Sequence, residues 1–151
     1  MASKKLSIII PCYNEQSSIN KLIDNCIETI NEEVEILLVD NGSSDNTYKT
    51  LLNLNLPKNI VIYRIEKNIG YGNGILFGLK KAKGEILSWT HADLQTDISD
   101  VIRGFNIYEK ELNKKTCIVK GERKNRNIID SFFTFSMGVY SSVLLGKWLY
   151  D

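Results

Sequence analysis

The chain has 151 residues, 43% hydrophobic and 25% charged, which suits one ordinary globular domain with a sizeable core. Nineteen Lys and Arg against eighteen Asp and Glu leave a net charge of +1, which argues against a protein built mainly to hold nucleic acid. The N-terminal apolar run in MASKKLSIIIPCYNE is too short for a signal peptide, and Cys12, Cys26 and Cys117 lack CxxC spacing, so they read as reduced thiols of a cytoplasmic chain.

In chain order, LSIII (6–10), VEILLVD (34–40), IVIYRI (60–65), EILSWT (85–90) and TCIVKG (116–121) are short, β-branched and largely apolar. They predict strands buried on both faces. Between the first two, Ile19, Leu22, Ile23, Cys26, Ile27 and Ile30 follow helical spacing. Ser44 or Asp45 is placed to cap a helix over 46–54. A further helix is expected over 71–83, weakened by Gly72, Gly74 and Gly78. Ile98, Val101, Ile102, Phe105, Tyr108 and Leu112 mark another, with Asp97 as its N-cap. Alternation of this kind predicts a doubly wound α/β fold, a mostly parallel sheet with helices on both faces. No repeat or linker interrupts it, so one domain over 1–151 is expected. Ser131–Gly146 carries no charge and is read as a buried helix, with a helix lying on a membrane surface as the alternative. Trp89 and Trp148 are read as packing residues.

Ligands of such sheets bind at the carboxyl ends of the strands. Here those ends read Pro11-Cys12-Tyr13-Asn14-Glu15, Asp40-Asn41-Gly42-Ser43, His91-Ala92-Asp93 and Gly121-Glu122-Arg123. The first loop, PCYNEQ, lacks the glycines of a dinucleotide fingerprint, and no Walker lysine motif is present. His91, the only histidine, is followed at two-residue steps by Asp93 and Gln95. In an extended chain the three share one side, with Ala92 and Leu94 turned inward. One carboxylate and one amide oxygen make a thin metal site, sufficient where substrate phosphates complete the shell. A polar loop in which Asp93 or Asp97 merely caps a helix is equally compatible with the spacing.

The stretches LSIIIPCYNEQSSI, VEILLVDNGSSDNT, NIGYGNGILFGLKKAKGEILSWTHADLQTD and IVKGERKNR, in this order, resemble a family-2 glycosyltransferase of the GT-A fold. Within it the likeness is greatest to the polyprenyl-phosphate glycosyltransferases, such as the dolichol-phosphate mannose synthases. The resemblance implies transfer of a sugar from a UDP- or GDP-linked donor, with manganese or magnesium, to an acceptor such as a polyprenyl phosphate. It implies that Pro11, Tyr13 and Glu15 contact the nucleotide and that Val39, Asp40 and Asn41 hold the base. Asp93 is implied as metal ligand, Gln95 as completing the metal shell, and Arg123 as gripping the donor phosphates; Asp93 and Arg123 are thereby the catalytic pair. His91 and Ala92 fall on the nucleoside side.

The chain departs from the family pattern twice: Asn41 stands at a second acidic position, and His91 stands where the metal motif has its first aspartate. An imidazole at 91 suits a hydrogen bond to a ribose hydroxyl, the favoured role, a neutral nitrogen offered to the metal, or simple packing. The resemblance also implies an acceptor-side segment beyond Asp151, so weak transfer, oligomers and a place at the cytoplasmic membrane face are expected. Two competing readings are a non-catalytic nucleotide-binding remnant and a thiol hydrolase using Cys12 and His91. The basic group Lys120, Arg123, Lys124 and Arg126 is expected beside phosphates rather than on nucleic acid.

Overall fold

The computed structural model describes residues 5–111 and 117–121, together with 136, 137, 139, 140, 142–144 and 146. The chain divides into two compact units, Met1–Val119 and Lys120–Asp151. In the first, the elements run β1 (Leu6–Cys12), α1 (Ile19–Thr29), β2 (Val34–Asn41), α2 (Thr47–Leu52), β3 (Ile60–Ile65), α3 (Tyr71–Leu79), β4 (Ile86–Trp89) and α4 (Ile98–Glu111). In the second, residues 136, 137, 139, 140 and 142–144 are helical. The rest of the apolar run 131–146, apart from the turn at Gly146, lies outside the described residues, as do Arg123, Lys124, Arg126 and Trp148.

The strands form one parallel sheet in the order β3-β2-β1-β4. Parallel neighbours need crossovers, and each helix supplies one or leads out of the sheet. Side-chain alternation sorts the strands onto two layers. Ile8, Ile10, Ile36 and Leu38 meet Ile19, Leu22, Ile23 and Cys26 of α1, Leu51 of α2, and Ile98 and Phe105 of α4. Ile9, Leu37 and Val39 face the other way, toward Phe77 and Leu79 of α3. Helices therefore cover both faces, as the α/β pattern predicts. A Cβ on Gly78 would lie 2.5 Å from Ile9 Cγ2, so only glycine lets α3 seat this closely on β1.

The expected elements stand with shifted limits, for local reasons. All residues of β1 and β2 are buried, but β3 and β4 are edge strands and part-exposed. The helix expected over 46–54 runs only Thr47–Leu52. Its start is delayed because side chains from the β1–α1 loop hold the backbone before it: Asn14 Oδ1 accepts from the Ser44 N–H at 2.9 Å, and Gln16 Oε1 from the Asn46 N–H at 3.2 Å. Asp45 accepts from the Thr47 N–H at 2.9 Å, so it braces the entry without standing at the cap position, which is Asn46. The helix expected over 71–83 ends at Leu79. Beyond it, buried Glu35 accepts from the Lys83 N–H at 2.6 Å and the Ser7 hydroxyl from the Gly84 N–H at 2.7 Å, drawing the chain out of the helix. Asp97 does cap α4, accepting the Ser99 N–H at 2.8 Å.

The strand expected over 116–121 is a correction. Residues 117–121 are neither helix nor strand, and Thr116 lies outside the described residues. Ile118 is 89% exposed. A β-branched run becomes a strand when a ladder partner and a covering layer hold it, and residues 117–121 have no ladder pairing.

The carboxyl ends of β1 and β2 are laced together. The Asn14 N–H donates to the Ser43 hydroxyl at 3.0 Å, the Glu15 N–H to Thr47 Oγ1 at 2.8 Å, and the Gln16 N–H to Asp45 at 3.1 Å. Desolvation pushes the Asp45 carboxyl up, but the hydrogen bonds from Thr47 and Gln16 outweigh it and hold Asp45 below its ordinary value. Asp97 is likewise lowered, chiefly by the Ser99 N–H. Both carboxylates support the fold above their ordinary range, and that support is lost as pH falls through the lowered values.

Asn41 performs the second lacing. Its carbonyl oxygen accepts from the Ile69 N–H at 3.2 Å, while its amide donates to the Gly70 carbonyl at 3.1 Å and to Asn68 Oδ1 at 3.3 Å. Asn41→Asp should keep the first bond and set a carboxylate against two acceptors, destabilising by about 1–3 kcal/mol. A lowered urea midpoint without a changed slope checks this, and an unchanged midpoint contradicts it. Gly42, at φ +72°, carries the chain past the same loop, and a Cβ there would lie 2.4 Å from the Asn68 nitrogen. Gly42→Ala should therefore cost more than the roughly 1–2 kcal/mol of a left-handed non-glycine residue alone, read by the same denaturation.

Candidate functional site

The laced loops, the start of α3 and the loop after β4 meet at one edge of the sheet. A cavity of about 290 Å³ lies there, lined by Pro11, Cys12, Tyr13, Asn41, Asn68, Gly70 and Tyr71. Tyr71 also lines an apolar groove of about 560 Å³ that runs along α3 through Ile75, Leu76 and Leu79 to Trp89. Trp89, expected as a packing residue, is 52% exposed and lines this groove.

The loop from Thr90 to Asp97 does not stay extended. Residues 92–96 bend, and Leu94 takes φ +61°. The hydroxyls of Thr90 and Thr96, 2.8 Å apart, close the neck of the bend. The expected division of side chains survives by this other route. Ala92 is buried and Leu94 packs against the core, while Asp93 and Gln95 are exposed. One oxygen of Asp93 accepts the Gln95 N–H at 3.0 Å, which stabilises the bend. No group of three or more His, Cys, Asp or Glu side chains is arranged to hold a metal among the described residues. Asp93 and Gln95 are exposed oxygen donors on the loop, of the hard type that suits magnesium or manganese when phosphates join them.

His91 lies against Tyr71, with ring centroids 5.2 Å apart and planes 8° from parallel. Burial, with Asp93 nearby, raises the Tyr71 hydroxyl above its ordinary pKa.

The remaining expected residues are distributed as follows. Pro11, Tyr13 and Asn41 line the cavity. Glu15 accepts a short hydrogen bond from the Ser18 hydroxyl at the start of α1. Val39 is fully buried beneath α3. Asp40 is fully buried, and neither of its oxygens has a hydrogen-bond partner among the described residues. Arg64 pairs with it at long range, its Nε 3.9 Å from Oδ2, while its guanidinium lies 4.1 Å from the centre of the Tyr48 ring. Arg123 lies outside the described residues.

Cys12 is buried and its thiol donates to the Ile10 carbonyl at 3.5 Å. Burial above all, with Cys26, Glu15 and Asp40 adding negative charge, drives its pKa far upward. Cys26 is pushed up to about 12 by burial. Thiolates are the reactive form, so this environment opposes a nucleophilic Cys12.

Sequence reasoning passed over Tyr71, Asn68, Thr90 and Thr96. The signal for Tyr71 lies in GYGNG, where the glycines draw attention away from the ring between them.

Comparison with known proteins places the chain in a family. The structure resembles residues 1–349 of TarS from S. aureus, with TM-score 0.62 at 20% identity, covering 80% of this chain and 40% of that one. The same protein in complex with UDP-GlcNAc gives TM-score 0.63 at 21% identity over 80% of this chain and 38% of that one. The mannosyltransferase PcManGT from Pyrobaculum calidifontis, in complex with GDP-Man and Mn2+, gives TM-score 0.51 at 25% identity over 62% of this chain and 28% of that one. The chain thus spans two fifths or less of these proteins. These likenesses show the GT-A-like fold. Residues 7–140 match the sequence profile of glycosyl transferase family 2, and with nearly the whole chain inside that match, this protein belongs to that family.

Proposed function

We propose that this chain forms the donor side of a glycosyltransferase that binds a nucleoside-diphosphate sugar, UDP- or GDP-linked, at the carboxyl edge of its sheet. The observation that carries the reading is the convergence of three separated family motifs on one cavity edge. The β1 loop supplies Pro11 and Tyr13, the end of β2 supplies Asn41, and the β4 loop supplies His91 against the cavity-lining Tyr71. At about 290 Å³ the cavity is near the lower bound of about 300 Å³ for small-ligand sites, the scale of a nucleoside rather than a whole donor. The neighbours that hold UDP-GlcNAc and GDP-Man support the donor class.

In this reading Asp40, whose oxygens make no hydrogen bond among the described residues, is the acceptor for an N–H of the base. Glu15 lies on the same loop as Tyr13, and Val39 and Ala92 support the site from the core. The free oxygen of Asp93 and the side-chain oxygen of Gln95 would hold the divalent ion beside the donor phosphates. When bound, such an ion neutralises the charge that develops on the leaving diphosphate. Arg123 keeps the phosphate-gripping role that the family resemblance alone assigns it, a role suited to a planar guanidinium. A polyprenyl phosphate as acceptor would bring an oxygen already anionic, so no general base is needed among the residues named. An acceptor of that kind would place the protein at the cytoplasmic membrane face.

The test is thermal stability against UDP, GDP and their sugar conjugates, with and without manganese. Ligand that binds the folded state raises the midpoint with the logarithm of its concentration. Wild type should respond to one nucleotide series and respond more with the metal. Asp93→Ala should lower the unliganded stability by no more than about 1 kcal/mol, the scale of its one exposed hydrogen bond to Gln95, and lose the metal increment. Equal responses of wild type and variant, with and without manganese, would contradict the assignment of the site.

A further inference from the structure

The contact between Tyr71 and His91 has a geometry that decides what each ring can do. The phenol oxygen lies 3.2 Å from His91 Nδ1 and 3.4 Å from Nε2. The two ring planes are within 8° of parallel, and their centroids are 5.2 Å apart. An oxygen almost equidistant from both nitrogens, in a plane parallel to theirs, stands over the imidazole face. Imidazole donates and accepts in its own plane. The phenol therefore occupies the face of the ring and leaves the in-plane directions of both nitrogens unspent. This is an offset stack, the preferred arrangement of aromatic pairs.

The position of Tyr71 is set in turn by Asn41. Tyr71 follows directly on Gly70, and Asn41 holds the 68–70 loop by its three hydrogen bonds. Gly70 adds φ +86° and a 2.7 Å bond from its N–H to Asn68 Oδ1. The two positions at which this chain departs from its family pattern, Asn41 and His91, are thus the two ends of one structural chain through Tyr71. An aspartate at 41 could not donate to the loop, and an aspartate at 91 would offer no ring to stack.

We propose that Tyr71 is a positioning residue of the donor site: it fixes the plane of His91 by stacking, so that both imidazole nitrogens are presented edge-on to the ribose and diphosphate of a bound nucleoside diphosphate. The inference rests on the donor-site reading above. It assigns Tyr71 its ring, not its hydroxyl, as the working part.

The experiment uses the full chain and two readouts. The first is the proton NMR spectrum of the ligand-free protein, where the single histidine gives unambiguous ring signals. A stacked phenol displaces them upfield. Tyr71→Phe should keep that displacement and Tyr71→Leu should lose it. The second is the affinity for UDP and GDP with magnesium, measured for wild type, both variants, His91→Ala, and Tyr71→Leu combined with His91→Ala. Tyr71→Leu should weaken binding by about fivefold, the scale of one aromatic pair. Tyr71→Phe should recover most of that loss. The double variant should bind no worse than His91→Ala, because the two residues act as one unit.

Histidine signals that ignore Tyr71→Leu would overturn the stack. A Tyr71→Phe loss equal to that of Tyr71→Leu would overturn the role of the ring in favour of the hydroxyl. Additive losses in the double variant would overturn the coupling. Wild-type binding that is indifferent to Tyr71→Leu overturns this inference alone, whereas absence of wild-type binding to either nucleotide overturns the donor-site reading and this inference with it.

Discussion

The structure depends on the complete burial of two neighbouring parallel strands. Every residue of β1 and of β2 is buried, so their apolar side chains fix register as well as stability. A one-residue slip would exchange the layer of Ile8 and Ile10 with that of Ile9. The pairing runs from Leu6 with Val34 to Cys12 with Asp40, and parallel strands necessarily end on the same side. Burial of the apolar strands thus delivers Tyr13, Asn14, Asn41 and Gly42 to a common edge. β4 joins β1 in the same sense, so the loop carrying His91 and Asp93 arrives there too.

What the strands deliver, polar side chains then hold. Loops at the end of a parallel sheet cannot satisfy their backbone groups through the ladder, and unpaired groups are costly when buried. Here Asn14, Gln16, Ser43, Asp45 and Thr47 satisfy one another's backbones across the β1 and β2 loops. Asn41 does the same between β2 and the loop before α3. The edge is therefore held in shape without a ligand, which reduces the ordering cost of binding one. Asp40 is the exception. Its buried carboxylate oxygens make no hydrogen bond among the described residues, with Arg64 at 3.9 Å as an ion-pair partner.

The sequence made the layers legible because they follow from periodicity. The α1 stripe and the Asp97 cap need no long-range information. Limits that depend on distant partners were not legible. The end of α3 is set by Glu35, forty-eight residues before Lys83, and nothing in VEILLVD marks its glutamate as a buried hydrogen-bond acceptor. The start of α2 is set by Asn14 and Gln16 of another loop. At the site, the alternation of Ala92 and Leu94 against Asp93 and Gln95 was legible, but the left-handed turn at Leu94 that produces it was not. The stack of Tyr71 on His91 joins residues twenty apart through the fold alone. The TCIVKG run shows the opposite failure: its propensity is strand-like, but residues 117–121 have no ladder to join.

The central claim is that a nucleoside diphosphate occupies the carboxyl edge of this sheet. The most direct measurement is backbone amide NMR of the isotopically labelled chain during titration with UDP and with GDP in the presence of magnesium. The account predicts perturbations concentrated at residues 11–16, 40–45, 68–71 and 90–95. Saturable binding whose perturbations fall instead around Lys5, Glu33 and Lys83, at the amino ends of the strands, would contradict it.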